Sequence, residues 1–306
     1  MQKIAIKTSN LTKSFGDNIA VNALNLEVRT GELYGLVGPD GAGKTTTMRL
    51  LTAIMDPSSG DAWVAGHSIV SEGEPLKEKI GYMSQRFGLY EDLTVMENIL
   101  FYADLYEVPE RERPKRIERL LGFSNLTPFK DRLAGQLSGG MKQKLGLACA
   151  LIHTPEVLFL DEPTNGVDPV SRRDFWRILY DLLKEGVTIL VSTAYLDEAE
   201  RCTRIAMIHK GAVLIEGEPK TVRNSLDVPM LEVWSDNARQ AVEEVKKQSG
   251  IRTVSLYGDR LHITLERNVT AAEIADKLQR TGIQFKDLRE IVPSLEDVFI
   301  SMVEKE

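Results

Sequence analysis

The stretch Leu33-Tyr34-Gly35-Leu36-Val37-Gly38-Pro39-Asp40-Gly41-Ala42-Gly43-Lys44-Thr45 decides the fold. Its first five residues are almost continuously apolar, the composition of a strand buried on both faces, and such strands belong to parallel sheets covered by helices. Glycines follow at 38, 41 and 43, ahead of a helix expected over Thr46 to Ile54. Between a strand and a helix, the spacing from Gly38 to Thr45 is that of a phosphate loop. The loop Gly38, Pro39, Asp40, Gly41, Ala42 and Gly43 lets backbone N–H groups curl around a β-phosphate at the N-terminus of a helix, which Thr46 continues. Lys44 is placed to neutralise β- and γ-oxygens, and the Thr45 hydroxyl to reach Mg2+.

Outward from this stretch, two more apolar runs, Glu156 to Leu160 and Val187 to Val191, alternate with helical segments and extend the parallel sheet. Alternating residues at Ile4-Ala5-Ile6, Leu24 to Val28 and Ala62-Trp63-Val64 predict an N-terminal antiparallel layer. Over about 88–154 the period becomes helical. Val95, Ile99, Leu100 and Ala103 share one face, Ile117, Leu120 and Leu121 another, with Pro109, Pro114 and Pro128 at helix boundaries. After Glu218-Pro219 a small β-α-β-β-α-β sandwich is expected, with a hairpin turn at Gly258-Asp259 and capping pairs Thr270/Glu273 and Ser294/Asp297. A single core stops growing near ~250–300 residues, so 306 residues imply two domains, placed at 1–225 and 226–306.

Two further segments carry chemistry. Val157-Leu158-Phe159-Leu160-Asp161-Glu162 delivers two carboxylates at the end of a buried strand, the edge where α/β folds bind ligands. Asp161 is expected to hold Mg2+ through water, and Glu162 to act as general base on an attacking water. Leu137-Ser138-Gly139-Gly140-Met141-Lys142-Gln143 offers hydroxyl and backbone donors to a second phosphate surface. One chain cannot easily aim this turn and the phosphate loop at one γ-phosphate, which points to a nucleotide shared by two chains.

With these segments in order, the chain resembles, over about residues 4–220, the nucleotide-binding subunit of ATP-binding cassette (ABC) transporters. The resemblance implies ATP and Mg2+ as cofactors and ATP hydrolysis coupled to transport. It implies that Gln85 senses the γ-phosphate and Mg2+, and that Phe15 stacks on adenine. Leu137, Ser138, Gly139, Gly140 and Met141 would face the partner's ATP, and Asp168 would belong to the loop joining the two sites. It also implies a second cassette subunit, identical or not, and separate membrane permease subunits, contacted through Arg86-Phe87-Gly88-Leu89-Tyr90. The ending Pro293 to Phe299 resembles that of the accessory domain of many bacterial exporter ATPases for drugs, lipids or glycans. The fold expected is thus an α/β phosphate-loop NTPase core with a helical subdomain, followed by a ferredoxin-like α+β domain.

Two positions depart from the family pattern. Met141 stands where glutamine is usual, with Gln143 two places on, and Ala194 stands where a histidine usually contacts the γ-phosphate. An alanine donates no such bond, so slow turnover at this chain's own phosphate loop is expected; a heterodimer in which a second cassette supplies the faster site is a variant of this reading, beside the homodimer.

The bulk properties set limits. A formal net charge of −7, with 11 Lys+Arg against 15 Asp+Glu from Leu226 onward, disfavours a nucleic-acid reader and direct membrane adhesion. No apolar stretch approaches the ~20 residues of a spanning helix. The start Met1-Gln2-Lys3-Ile4 lacks a signal core, so a cytoplasmic protein held at the membrane's inner face by permease subunits is expected. Cys149 and Cys202 lack metal or disulfide spacing and are expected as buried thiols. A soluble cassette ATPase acting on ribosomes or DNA is the alternative, although such proteins usually carry two cassettes or a long coiled coil.

Overall fold

The computed structural model describes residues 3–85, 88–226, 228–235, 237–280 and 285–304. It divides into two compact units, 1–216 and 217–306. The division falls ahead of residue 226 because the short helix Pro219–Asn224 packs on Leu295–Val303.

In the first unit, Leu33–Val37, Val157–Asp161 and Thr188–Thr193 are buried at every position, as their unbroken apolar runs require. Among the described residues they lie in a sheet of order Ala212–Gly217, Arg204–His209, Leu33–Val37, Thr188–Thr193, Val157–Asp161, Ile80–Met83. The pairings from Arg204–His209 through Ile80–Met83 are all parallel. Their C-terminal ends therefore share one edge, where Val37 pairs with Thr193 and Asp161 with Ser192.

The antiparallel layer is present. Ile4–Phe15 pairs with Asn18–Leu24, Glu27–Arg29 and Ser59–Val64, and Ile6 sits between Val28 and Val64, all three buried. The expected strand Leu24 to Val28 is interrupted. Asn25 donates to the Ala23 carbonyl (2.8 Å) and accepts from the Asn10 N–H (2.9 Å), so one strand stops at Leu24 and the next starts at Glu27. Tyr34, Met48, Phe159 and Leu190 join Ile6, Leu11 and Val28 in the core beneath this layer.

The helix after the phosphate loop spans Lys44–Leu51 rather than Thr46 to Ile54. Gly43 already turns the chain, at φ 103°, and Ala53, at φ 52°, cannot continue a right-handed helix. Val95–Leu105, Arg113–Phe123 and Gly139–Leu151 form the helical region, burying Val95, Ile99, Ala103, Ile117, Leu120 and Leu121, with Leu100 half-buried. Pro114 opens Arg113–Phe123 and Pro128 lies in the turn Thr127–Phe129, positions that need no backbone N–H.

In the second unit the expected β-α-β-β-α-β order is found: Met230–Ser235, Ala238–Lys246, Ile251–Tyr257, Arg260–Leu265, Ala271–Arg280, Phe285–Ile291. The strand order is Ile251–Tyr257, Arg260–Leu265, Met230–Ser235, Phe285–Ile291, antiparallel throughout. Leu231, Val233, Leu261, Ile263, Ile274 and Leu278 fill its core. Ser294 and Asp297 form a full capping box at Leu295–Val303, whereas for the pair Thr270/Glu273 the contact seen is the Glu273 N–H donating to Thr270 Oγ1 (3.3 Å).

Candidate nucleotide site

Phe15, Asp40, Gly41, Gly43, Lys44, Thr45, Thr46, Gln85 and Glu162 line one open cleft of 570 Å³ at the C-terminal edge of the sheet. Gly38 and Ala42 are buried behind it, and Pro39 turns the loop. Gly43 has no substitute here: a Cβ would lie 2.3 Å from the Ala20 carbonyl oxygen, in addition to the left-handed backbone.

Lys44 is 4% exposed and folds over the loop, donating to the Gly38 (2.8 Å) and Pro39 (3.1 Å) carbonyls and pairing with Glu162 Oε1 at 3.0 Å. The other oxygen of Glu162 accepts from Gln85 Nε2 at 3.0 Å and from Asn165 Nδ2 at 3.4 Å. Glu162 has φ 49°, a left-handed conformation that costs a non-glycine residue of order 1–3 kcal/mol. Its N–H donates to both the hydroxyl (3.0 Å) and the carbonyl (3.2 Å) of Ser192, which hold the turn in place.

Asp161 is fully buried. Its Oδ1 accepts from Thr45 Oγ1 (3.2 Å) and Ser192 Oγ (2.6 Å), while Oδ2 has no hydrogen-bond partner among the described residues. Burial pushes this carboxyl above the ordinary carboxylate value, against the hydrogen bonds of Ser192 and Thr45 and the charge of Lys44; nearby Glu162 adds to the rise. An orphaned carboxylate oxygen beside a threonine hydroxyl is a hard oxygen donor set, of the kind Mg2+ takes.

The signature residues stand elsewhere. Leu137 is buried, but Ser138 and Gly139 are exposed, and the lining described for the cleft includes none of 137–141. Ser138 caps the helix Gly139–Leu151, its hydroxyl accepting from the Met141 N–H at 3.4 Å and so satisfying one of the first helical turn's donors. Gly140 packs that helix on the next, since a Cβ there would lie 2.4 Å from Ser171 Cβ. Asp168, exposed, caps Pro169–Lys184 through the Val170 (3.1 Å) and Ser171 (3.0 Å) N–H groups, which hold its carboxyl below the usual value. Ala194 is exposed directly after Thr193. In the segment expected to meet the permease, Arg86 and Phe87 lie outside the described residues. The rest is pinned to the helix Val95–Leu105 by Tyr102 OH donating to the Gly88 carbonyl (2.9 Å) and by Tyr90 edge-on to Phe101.

Sequence reading missed Ser192, which holds both carboxylate residues, and Asn18, Ile19, Ala20 and Lys210, which also line the cleft. Ser192 carries a signal only once its strand is known to neighbour Val157–Asp161.

The ABC transporter family pattern matches residues 21–165, and that of the "ATP-binding protein DrrA1-3-like, C-terminal domain" matches 217–303. The "probable multidrug ABC transporter ATP-binding protein YbhF" of Escherichia coli (strain K12) is 42% identical over 99% of the chain, which spans about half (53%) of that relative's length. "Nod factor export ATP-binding protein I" of Rhizobium sp. (strain N33) is 35% identical, with 100% of this chain and 99% of the relative covered. Among solved structures, the dimeric post-hydrolysis state of the ATP-binding cassette MJ0796, bound to ADP and Pi, superposes with a TM-score of 0.63 at 28% identity, covering 70% of this chain and 98% of that one. No helix among the described residues is long and apolar enough to cross a membrane. The chain belongs to the ATP-binding subunits of ABC transporters, in the group that carries the DrrA-type C-terminal domain.

Proposed function

We propose that this chain binds and hydrolyses ATP to drive a bacterial exporter, each nucleotide being enclosed between the cleft of one cassette and Ser138 and Gly139 of another. The observation that carries this reading is the exposed helix N-terminus at Ser138, apart from a cleft that already gathers the phosphate loop, Gln85 and Glu162. Free N–H groups at a helix start are an anion site, and facing a second chain they would complete the γ-phosphate's surroundings.

In this reading Phe15, 49% exposed at the rim, offers its ring to the adenine. Lys44 and the loop N–H groups hold the phosphates. Thr45, Asp161 and Gln85 would hold Mg2+, whose charge offsets that of the phosphate oxygens. Glu162 accepts a proton from water as the water oxygen bonds to the γ-phosphorus and the bond to the ADP oxygen breaks. Asp168, fixed by its cap, lies in the loop proposed to join the two sites. Closure on ATP and release after hydrolysis would reach separate permease subunits through Gly88 to Tyr90, where Tyr90 (48%) and Phe101 (37%) expose aromatic surface. The cargo class proposed, a drug, lipid or glycan, follows the relatives' names, multidrug and Nod factor export.

Ala194 supports slow hydrolysis at this chain's own cleft, with a different, faster cassette as partner. One oriented donor to transition-state charge is worth about 10²–10³ in rate. Steady-state ATPase of Ala194→His is the test: a rise of tenfold or more is expected, and an unchanged rate would show that other groups already fill the role. Size exclusion with Mg·ATP tests the shared site, and a chain that stays monomeric alone and with its partner cassette would overturn it.

A further inference from the structure

We infer that Tyr195 is a positioning residue for hydrolysis, acting through Asn165 to orient the Glu162 carboxylate; the inference rests on the ATPase reading above. Tyr195 OH donates to Asn165 Oδ1 at 3.4 Å, and Asn165 Nδ2 donates to Glu162 Oε2 at 3.4 Å. A carboxamide has two ends of similar shape and opposite polarity; an ionised carboxylate only accepts and so faces the NH2 end, and a donor on the oxygen end fixes the amide in that orientation. The tyrosine hydroxyl is that donor, and it holds the N–H end on Glu162.

The tyrosine is itself held. The Arg172 guanidinium lies 4.6 Å from the ring centroid, and the Tyr195 N–H donates to Thr193 Oγ1 at 3.0 Å. Thr193 Oγ1 in turn donates to the buried Glu198 at 2.8 Å, and Arg172 pairs with the same carboxylate at 3.5 Å. The ring is thereby fixed from the sheet edge and from the helix Pro169–Lys184. A path runs from the residue next to Ala194, through the loop that ends at Asp168, to the proposed base. Glu162 Oε2 then has two donors, Gln85 and Asn165, and Oε1 has Lys44. Losing the asparagine leaves Oε2 with Gln85 as its donor while Oε1 keeps Lys44, which loosens the orientation of the carboxylate plane.

The test is Tyr195→Phe in the full chain, which keeps the ring over Arg172 and removes only the hydroxyl. With Mg·ATP, kcat is expected to fall about three- to tenfold, the worth of one neutral hydrogen bond. KM for ATP and the thermal midpoint should stay unchanged, a split that a merely structural role would not produce. Asn165→Ala should lower kcat at least as much, and the double variant Tyr195→Phe/Asn165→Ala should fall no further than Asn165→Ala. A Tyr195→Phe kcat equal to wild type, or losses that multiply in the double variant, would overturn the inference. Absence of ATPase in the wild-type chain, alone and with its partner cassette, would overturn the proposed function and this inference together.

Discussion

Each unit buries a cluster of charge, and the two clusters are built on opposite plans. In the second unit both carboxylates buried among the described residues, Glu232 and Asp297, have several donors. Glu232, 5% exposed, accepts from Arg289 (2.7 Å), Arg260 (3.3 Å), Trp234 (3.3 Å) and His262 (3.4 Å). Asp297 accepts from His262 (3.0 Å), Ser294 and Tyr257. Burial works against the Glu232 charge, yet these donors hold its pKa down at about 2. In the first unit Asp161 is equally buried but keeps one oxygen without a partner among the described residues, and Glu162 sits on strained backbone. Burial there has won, and the Asp161 pKa is raised. A satisfied cluster stabilises its own fold; an unsatisfied one waits for a ligand to complete it.

The largest expected effect breaks the comparison on the side of chemistry. Glu162→Gln keeps the shape and the contact with Gln85 and removes the proton acceptor. Turnover should fall about 10²- to 10⁴-fold, the usual contribution of a general base. ATP binding should survive, read by equilibrium titration on the same protein. A variant that hydrolyses ATP at the wild-type rate would remove Glu162 from the mechanism.

Stability should separate the two plans with opposite signs. Glu232→Gln leaves Arg260 and Arg289 facing a neutral group; because those arginines are 41% and 56% exposed, the loss should be about 2 kcal/mol rather than the 3–5 of a fully buried pair. Asp161→Asn removes a charge with an orphaned oxygen, so nucleotide-free protein should gain about 1 kcal/mol while losing activity, the usual trade at a functional site. Denaturant unfolding without nucleotide or Mg2+ measures both. A loss of stability in Asp161→Asn would show that its carboxylate is better compensated than its contacts indicate.

How legible each cluster was in the sequence follows from chain separation. The phosphate loop and Asp161-Glu162 are contiguous segments whose spacing carries their meaning; Asp40, Gly41, Gly43, Lys44, Thr45 and Glu162 line the cleft, and Asp161 lies buried beside Thr45. Ser192, Asn165 and Tyr195 depend on which strands are neighbours, and neither periodicity nor composition states that Thr188–Thr193 inserts between Leu33–Val37 and Val157–Asp161. The strand Asn18–Leu24 escaped notice because it buries only Val21 and Leu24 while Ile19 is 48% exposed, leaving no clean alternation. The cluster around Glu232 joins residues 232, 257, 260, 262, 289 and 297, whose charges look like an ordinary solvated face when read in order. Only the capping pair Ser294/Asp297 within it was local enough to see.

The smallest effect concerns pH, and its sign tests the satisfied plan most closely. Burial disfavours the charged form of His262, but hydrogen bonds and charge from Asp297 and Glu232 prevail and raise its pKa above the ordinary 6.5. Tyr257 lies tilted against the ring with centroids 4.3 Å apart, and Arg260 reaches Glu232 from the same strand, so among the described residues the titratable and charged groups around His262 are Asp297, Glu232, Tyr257 and Arg260. Because the folded pKa is the higher one, the stabilisation is complete below about 6.5 and is lost as pH rises through the raised value. Hydrogen exchange in Arg260–Leu265, corrected for intrinsic base catalysis, should therefore speed up between pH 6.5 and 9 in the wild-type chain. His262→Gln, which cannot titrate, should show a flat corrected rate across the same window and leave the ATP cleft unaffected. A wild-type rate that is flat, or that slows with pH, would mean the imidazole is neutral in the folded unit and that the charges of Asp297 and Glu232 are held by their other donors, Arg260, Arg289, Trp234, Tyr257 and Ser294.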